Sequence, residues 1–126
     1  MTTSEDPMVL HPPHYSAERF GVEIIEFTRL MPFCAGNAFK YLARHESKGN
    51  PLQDLEKARV YWGWAWEANQ AVALPGLRPA LEVLYWRHLA PKIDTDAVAR
   101  VLGNIIFEEW QTVGGEIDDL IEAAQL

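Results

Sequence analysis

The chain has 126 residues, of which 48% are hydrophobic and 23% charged, and its formal net charge is −7. This size and composition predict one globular domain over residues 1–126 and exclude collagen-like, disordered and disulfide-scaffold proteins. The single cysteine, Cys34, cannot form an intrachain disulfide. Residues 1–7 include Glu5 and Asp6 and no apolar run, so they do not predict a secretory signal. No apolar run in the chain approaches the roughly 18 residues of a membrane span. We therefore expect a cytoplasmic protein with no membrane partner.

The charge is unevenly distributed along the chain. From Asp94 to Leu126 there are eight acidic residues and one basic residue, whereas residues 15–61 contain seven basic and six acidic residues. The acidic total argues against duplex nucleic acid as a partner, because such binding needs positive charge against the phosphate backbone. The balanced segment is still compatible with a small anionic ligand.

Apolar residues recur at helical spacing almost throughout, and no segment alternates as a strand does. Prolines in residues 1–16 predict an irregular arm. Ser16 can cap a first helix that reaches about Met31, before Pro32. Its predicted apolar face consists of Phe20, Ile24, Phe27 and Leu30 or Met31.

A second helix is predicted from about Phe33 to Ser47, and a third begins at a clear start signal. Asn50 is a favourable N-cap and Pro51 suits the first helical position. We expect this third helix to reach about Val72. The predicted buried stripes are Ala35, Ala38, Phe39 and Leu42 on the second helix, and Leu55, Ala58, Trp62, Ala65 and Trp66 on the third.

The rest of the chain predicts further helices over residues 77–126, including the acidic segment. A fourth helix covers about Pro79 to Leu89, and Asp94 or Thr95 can cap a fifth. Two adjacent glycines, 114 and 115, cost a helix interior about 2 kcal/mol relative to alanine. We expect a break there and a short sixth helix from Glu116, although the apolar spacing continues across the glycines. The predicted fold is an all-α compact bundle of five or six helices.

Two helices carry a polar stripe beside the apolar one. Each stripe places cations next to an aromatic ring at a spacing of three or four residues, so each lies on one helical face. Arginine and lysine donate to phosphate oxygens, and tyrosine can stack on a base or donate its hydroxyl proton. If the two helices form a hairpin, the stripes can face one nucleotide-binding cleft. The alternative is an ordinary solvated face. The stripes are Asn37, Lys40, Tyr41 and Arg44 on the second helix, and Asp54, Lys57, Ala58 and Tyr61 on the third.

Three further features have both a functional and a structural interpretation. His11 and His14 can bind zinc or close a ligand cleft, or they can belong to an arm that packs on a neighbour. Trp64 points away from Trp62 and Trp66, which we interpret as core, and is a candidate base platform or subunit interface. Acidic pairs at Glu23 and Glu26 and near the other end of the chain loosely resemble magnesium-dependent nucleotide pyrophosphatases, although exposed carboxylates are common on helices. The acidic residues near the other end are Glu108, Glu109, Glu116 and Asp119.

The chain contains neither a P-loop GxxxxGK[ST] motif nor GxGxxG, GxSxG or CxxC. What it does contain are three ordered segments: His11-Pro-Pro-His14-Tyr15, Gly36-Asn-Ala-Phe-Lys-Tyr-Leu-Ala-Arg44 and Asp54-Leu-Glu-Lys-Ala-Arg-Val-Tyr61. Over about residues 11–66 the chain resembles a family of small bacteriophage proteins of unknown function, also labelled SaV-like. That family includes a phage nucleotide kinase without a P-loop.

The resemblance implies an oligomeric enzyme in the cytoplasm of an infected bacterium. Its phosphate donor would be a nucleoside or deoxynucleoside triphosphate and its acceptor a nucleoside or deoxynucleoside monophosphate. Mg²⁺ is compatible with this chemistry, but no motif requires it, and we predict no metal ligands. The implied catalytic residues are Lys40, Arg44 and His14, and the implied nucleotide-binding residues are His11, Tyr15, Asn37, Tyr41, Asp54, Lys57 and Tyr61.

Within that assignment, Lys40 and Arg44 would hold the donor and transferring phosphates, and Lys57 the acceptor phosphate. Asp54 would position a cation or a ribose. Two other functions fit the same sequence: a protein that sequesters a nucleotide or cyclic nucleotide without turnover, and a host-takeover factor that binds a protein through the acidic C-terminal segment.

Overall fold

The computed structural model describes residues 19–47 and 49–126, and this part of the chain contains six α-helices and no strand. The predicted all-α fold is therefore confirmed. The predicted proline-rich arm lies outside the described residues. The helices are α1 (Ile24–Thr28), α2 (Phe33–Arg44), α3 (Pro51–Glu67), α4 (Arg78–Leu84), α5 (Ala97–Ile106) and α6 (Trp110–Ala124), with a π-helical turn (Tyr85–Leu89) and a 3₁₀ turn (Ala90–Lys92) after α4.

The α2–α3 pair is the centre of the fold, with α6 packed on α3 and α5 on α2. Trp62 of α3 is 2% exposed; its indole N–H donates to the carbonyl oxygen of Trp110 over 3.0 Å, and the two rings stack 4.4 Å apart. This one tryptophan pair therefore attaches α6 to the hairpin through both packing and a satisfied indole donor. The largest fully buried side chains also include Phe27, Phe39, Leu42, Leu55, Leu81, Leu89, Leu102, Ile105, Ile106 and Ile117.

The first helix is shorter than predicted. Helical structure begins only at Ile24, because Gly21 has φ +72° and Glu23 is extended at the N-cap. The predicted start at Ser16 lies outside the described residues. Pro32 is the N-cap of α2, so it separates α1 from α2 as expected. The predicted apolar face is buried nevertheless, including Phe20, Ile24, Phe27, Leu30 and Met31.

The start of α3 is as predicted, but its end is not. The Asn50 side chain accepts a hydrogen bond from the Gln53 backbone N–H at 3.1 Å. The helix ends at Glu67 instead of Val72, and Asn69 takes the left-handed region at φ +51°. The prediction that Trp66 lies in the core is wrong, because it is 46% exposed.

The break near the C-terminus lies at residues 107–109, and α6 runs through both glycines. Glu108 has φ +58°, and its carboxylate accepts a hydrogen bond from the Val72 backbone N–H at 3.0 Å. This tertiary hydrogen bond favours the break at that position. The start of α5 also differs: Asp96, instead of Asp94 or Thr95, accepts from the first-turn N–H groups.

Within the described ranges, no helix has both the length and the apolar character required to cross a bilayer.

Candidate functional site

The two predicted polar stripes meet on one face of the α2–α3 hairpin. The rings of Tyr41 and Tyr61 stack across it, with centroids 5.9 Å apart and an interplanar angle of 9°. The hairpin is antiparallel, since Arg44 at the end of α2 contacts Asp54 near the start of α3, while Phe33 at the start of α2 contacts Tyr61. Side chains that are 20 residues apart in sequence are thus neighbours on one surface.

Three cationic groups surround the Tyr41 ring. The Lys40 ammonium nitrogen lies 4.4 Å from the ring centroid, the Arg44 guanidinium carbon 4.6 Å and the Lys57 ammonium nitrogen 5.3 Å. Each cation–π contact contributes about 0.5–1 kcal/mol at an exposed position, and mutual repulsion of the cations opposes that gain. An anion bound here would relieve the repulsion. We call Lys40, Tyr41, Arg44, Lys57 and Tyr61 the cation–tyrosine cluster.

The three cations differ in their pairing. Arg44 Nη2 donates to Asp54 Oδ1 over 3.3 Å, and the two side chains are only 13% and 4% exposed. Lys40 and Lys57 form no ion pair with any residue that the structure describes, and Lys57 is exposed. The two lysines are therefore the cations of this cluster that are available to an anionic ligand, and Arg44 is a partly buried, oriented charge beside them.

Asp54 has a structural position that the sequence did not reveal. It is 3% exposed, and its Oδ2 has no hydrogen-bond partner within residues 19–47 and 49–126. Its Oδ1 accepts from Arg44, so the carboxylate lies beneath the cluster and its first role is to orient that guanidinium.

Exposed aromatic rings extend the cluster along α3 and to the start of α2. Trp64 is 54% exposed and Phe33 is 71% exposed, and both rings contact Tyr61 edge-on, at 5.6 Å and 5.7 Å. Exposed aromatic rings of this kind are used by proteins to stack on bases. The adjoining cavity has a volume of about 460 Å³ and is lined by Tyr41, Gln53, Glu56, Lys57, Val60, Tyr61 and Trp64.

Seven of the ten predicted site residues lie in the described ranges, and six of them are connected in this one cluster through the Arg44–Asp54 pair. Asn37 lies nearer the start of α2, beside Lys40 in a neighbouring cavity. The predicted residues His11, His14 and Tyr15 lie outside the described residues. Phe33 was not among the predicted site residues. The available signal was an aromatic residue that does not follow the buried spacing of α2, which indicates an exposed ring.

A second charged cluster joins the start of α5 to the end of α2. Arg19 donates to both carboxylate oxygens of Asp96, at 2.9 and 3.3 Å, and to Glu46 at 2.6 Å. Burial by itself would raise the pKa of the Asp96 carboxyl, but hydrogen bonds from Arg19 and from the α5 backbone, together with the Arg19 charge, lower that pKa below its ordinary value. Here the carboxylates of Asp96 and Glu46 neutralise the Arg19 cation, so this cluster stabilises the contact between the start of α5 and the end of α2.

The acidic pairs do not form a pyrophosphatase-like ligand set. In the part of the chain that the structure covers, no three histidine, cysteine or acidic side chains lie close enough to hold one ion. Glu26 pairs with Arg29, and Glu116 accepts a hydrogen bond from Asn104. Glu26 and Glu116 thus lie on different helices, α1 and α6, and each contacts a neighbouring side chain.

The comparison with protein families identifies one match. Residues 9–63 match a family of unknown function. The family, DUF3310, is described only in those terms. The matched segment contains all ten predicted site residues together with α1, α2 and most of α3, and it nearly coincides with the segment of the expected resemblance. The helices α4–α6 lie beyond it.

No curated protein and no solved structure matches the chain significantly.

Proposed function

We propose that the protein binds a nucleotide at the cation–tyrosine cluster, and that it is a phage-encoded phosphotransferase without a P-loop. The observation that carries this proposal is the convergence of Lys40, Arg44 and Lys57 on the ring of Tyr41, which itself stacks on Tyr61. Cations and exposed rings on one surface match the two halves of a nucleotide, its phosphates and its base.

The phosphates would bind at the two lysines. The whole chain carries a net charge of −7, yet two of its four lysines lie beside the same tyrosine ring. Ammonium groups donate only, so they suit phosphate oxygens. Arg44 would add positive charge from its paired position and hold the Tyr41 ring in place. Its predicted direct contact with a transferring phosphate stays a prediction.

The base would stack on the aromatic surface formed by Tyr61 and Trp64. The adjoining cavity of about 460 Å³ is within the usual range of small-molecule sites, about 300–1,000 Å³. Stacking on an aromatic side chain contributes about 1–3 kcal/mol per base and tolerates different bases. This arrangement therefore supports nucleotide binding with base preference set by other contacts.

Phosphoryl transfer is the reaction that the resemblance implies, from a nucleoside triphosphate to a nucleoside or deoxynucleoside monophosphate. Such transfer depends mainly on positioning the two phosphates and neutralising their charge, and it needs no covalent intermediate with the protein. Lys40 and Lys57 would supply that neutralisation. Mg²⁺ would add further charge neutralisation between the phosphates, and turnover with and without Mg²⁺ determines whether it is required.

The decisive experiment measures product formation. Purified protein is incubated with each deoxynucleoside monophosphate and each triphosphate, with and without Mg²⁺, and the products are separated by ion-exchange chromatography. We expect a diphosphate from a defined pair, with turnover reduced at least tenfold in Lys40→Ala and in Lys57→Ala. Lys92→Ala is the matched control, because Lys92 is an exposed lysine on the 3₁₀ turn after α4.

Two other outcomes would replace the kinase proposal. Tight nucleotide binding without turnover, abolished by the same substitutions, would indicate the sequestering protein. Neither binding nor turnover would indicate that the cluster is a solvated surface and would favour the host-takeover factor, whose function would be lost on charge reversal within residues 116–122.

We also propose that the protein forms a homo-oligomer. Exposed aromatic residues such as Trp64 and Trp86, 54% and 64% exposed, are typical of interface cores. Light scattering of the purified protein tests it, and the mass of a single chain would contradict it.

A further inference from the structure

A second cavity lies beside the cation–tyrosine cluster, where α1 meets α2. Its volume is about 270 Å³. Two of its residues connect it to the first cavity: the Phe33 ring contacts Tyr61 at 5.7 Å, and Lys40 contacts the Tyr41 ring at 4.4 Å. Tyr41 and Tyr61 line the first cavity, so the two cavities are adjacent, and Lys40 belongs to the second. The second cavity is lined by Thr28, Met31, Pro32, Phe33, Gly36, Asn37 and Lys40.

The walls of this cavity suit a flat heteroaromatic ring. Met31, Pro32 and Phe33 are apolar, and Phe33 presents a ring that is 71% exposed. Gly36 adds no side chain, and a Cβ built there would lie 3.6 Å from the Met31 Cβ. The bare backbone of Gly36 thus lets Thr28 and Met31 pack closely against α2 at this cavity, since a Cβ there would also lie 3.6 Å from the Thr28 carbonyl oxygen.

The polar groups of the cavity would orient a bound ligand. The Asn37 side-chain nitrogen donates to the Phe33 carbonyl oxygen over 2.9 Å. The amide is thereby oriented, and its Oδ1 remains as an acceptor for a ligand donor. An exocyclic amino group of a base is such a donor, and amide side chains commonly read bases in this way. Lys40 supplies a positive charge at the same cavity for a phosphate.

We propose that this cavity is a second nucleotide subsite, selective for a base with an exocyclic amino group. Two nucleotides then bind one chain, one in each cavity, with the phosphates of the first directed to Lys57 and those of the second to Lys40. The inference rests on the proposed function and extends it, because phosphoryl transfer between two nucleotides requires two subsites with adjacent phosphates.

The test is a titration of ¹⁵N-labelled protein with dAMP, followed by NMR. We expect two separable sets of shifts: the Trp64 indole N–H reports the first cavity, and the Gly36 backbone N–H with the Asn37 side-chain amide reports the second. Titration with dTMP, which has no exocyclic amino group, is expected to reproduce the first set of shifts. The affinity reported by the second set is expected to be at least tenfold lower for dTMP than for dAMP.

Reciprocal variants assign each set to its cavity. Asn37→Ala is expected to weaken the second set at least tenfold, and Lys57→Ala the first set. Gly36→Ala, which adds one methyl group at ordinary contact distance, is expected to weaken the second set as well, which guards against an effect of Asn37 on the helix. Gln111→Ala removes an exposed amide on α6 and is the control that changes neither set.

The outcomes separate this inference from the function on which it rests. Shifts at Trp64 alone, with Gly36 and Asn37 unmoved at saturation, would overturn the second subsite and leave nucleotide binding standing. Equal second-set affinities for dAMP and dTMP would overturn the assigned base preference. No shift in either cavity would overturn both proposals.

Discussion

Replacing Asp54 by asparagine is expected to destabilise the fold by about 3 kcal/mol. Asp54 and Arg44 form a pair in which the side chains are 4% and 13% exposed, with 3.3 Å between Oδ1 and Nη2. Removing one partner of a buried ion pair costs about 3–5 kcal/mol, because the other charge stays desolvated. Asparagine keeps an oxygen that accepts from Arg44, so we expect the lower end of that range.

The matched control is Asp118→Asn, which removes the same charge from an exposed pair. Arg59 and Asp118 are 3.5 Å apart, and their side chains are 53% and 63% exposed. Solvent screens such pairs, which contribute about 0.2–1 kcal/mol. The comparison keeps the chemistry of the substitution constant and changes only the burial of the pair.

The free energy of unfolding is measured by urea denaturation, with tryptophan fluorescence as the signal. For a chain of this size, a loss of 3 kcal/mol corresponds to a decrease in Tm of roughly 10 °C, and the control decrease should stay below about 4 °C. Circular dichroism provides this second, thermal measurement. Equal decreases for the two variants would refute the argument that burial makes the Arg44–Asp54 pair the more important one.

Two further predictions concern the C-terminal helices. Gly103→Ala is expected to destabilise by about 1–3 kcal/mol, because the new Cβ would lie 2.8 Å from Cε1 of the Tyr85 ring, whereas Gly115→Ala, with nothing within 4 Å, should stabilise α6 by about 0.5–1 kcal/mol. Urea denaturation tests both, and stabilisation by both would contradict the predicted clash. Asp96→Asn should lower the free energy of unfolding at pH 7, and the loss relative to the parent should shrink as pH falls from about 5 towards 3. The pKa of the Asp96 carboxyl is lowered in the folded state, so its ionised form stabilises the fold above the ordinary pKa of about 3.9, and this stabilisation is lost as pH falls below that value. Unfolding midpoints across this range test the effect, with the exposed Asp94→Asn as control; a difference that does not change with pH would contradict it.

Much of the candidate site was predictable because it depends on helical spacing. Lys40, Tyr41 and Arg44 follow one face of α2, and Lys57 and Tyr61 follow one face of α3, so a hairpin was sufficient to bring them together. Spacing alone did not reveal the exposed ring of Phe33 or the pairing of Asp54 with Arg44. Both depend on how far the two helices overlap and on which side chains their crossing covers.

The sequence by itself determined the helical class, the start of α3 and the faces that are buried. These features are local: Asn50 caps its own helix, and the apolar spacing of a segment identifies its buried side. The tertiary structure decided where helices end and which large side chains are covered. Glu108 ends α5 by binding the backbone of Val72, and α6 continues through two glycines because Val113 and Ile117 remain buried against the core. Propensity within one segment contributes a few kcal/mol at most, and contacts with distant segments outweigh it.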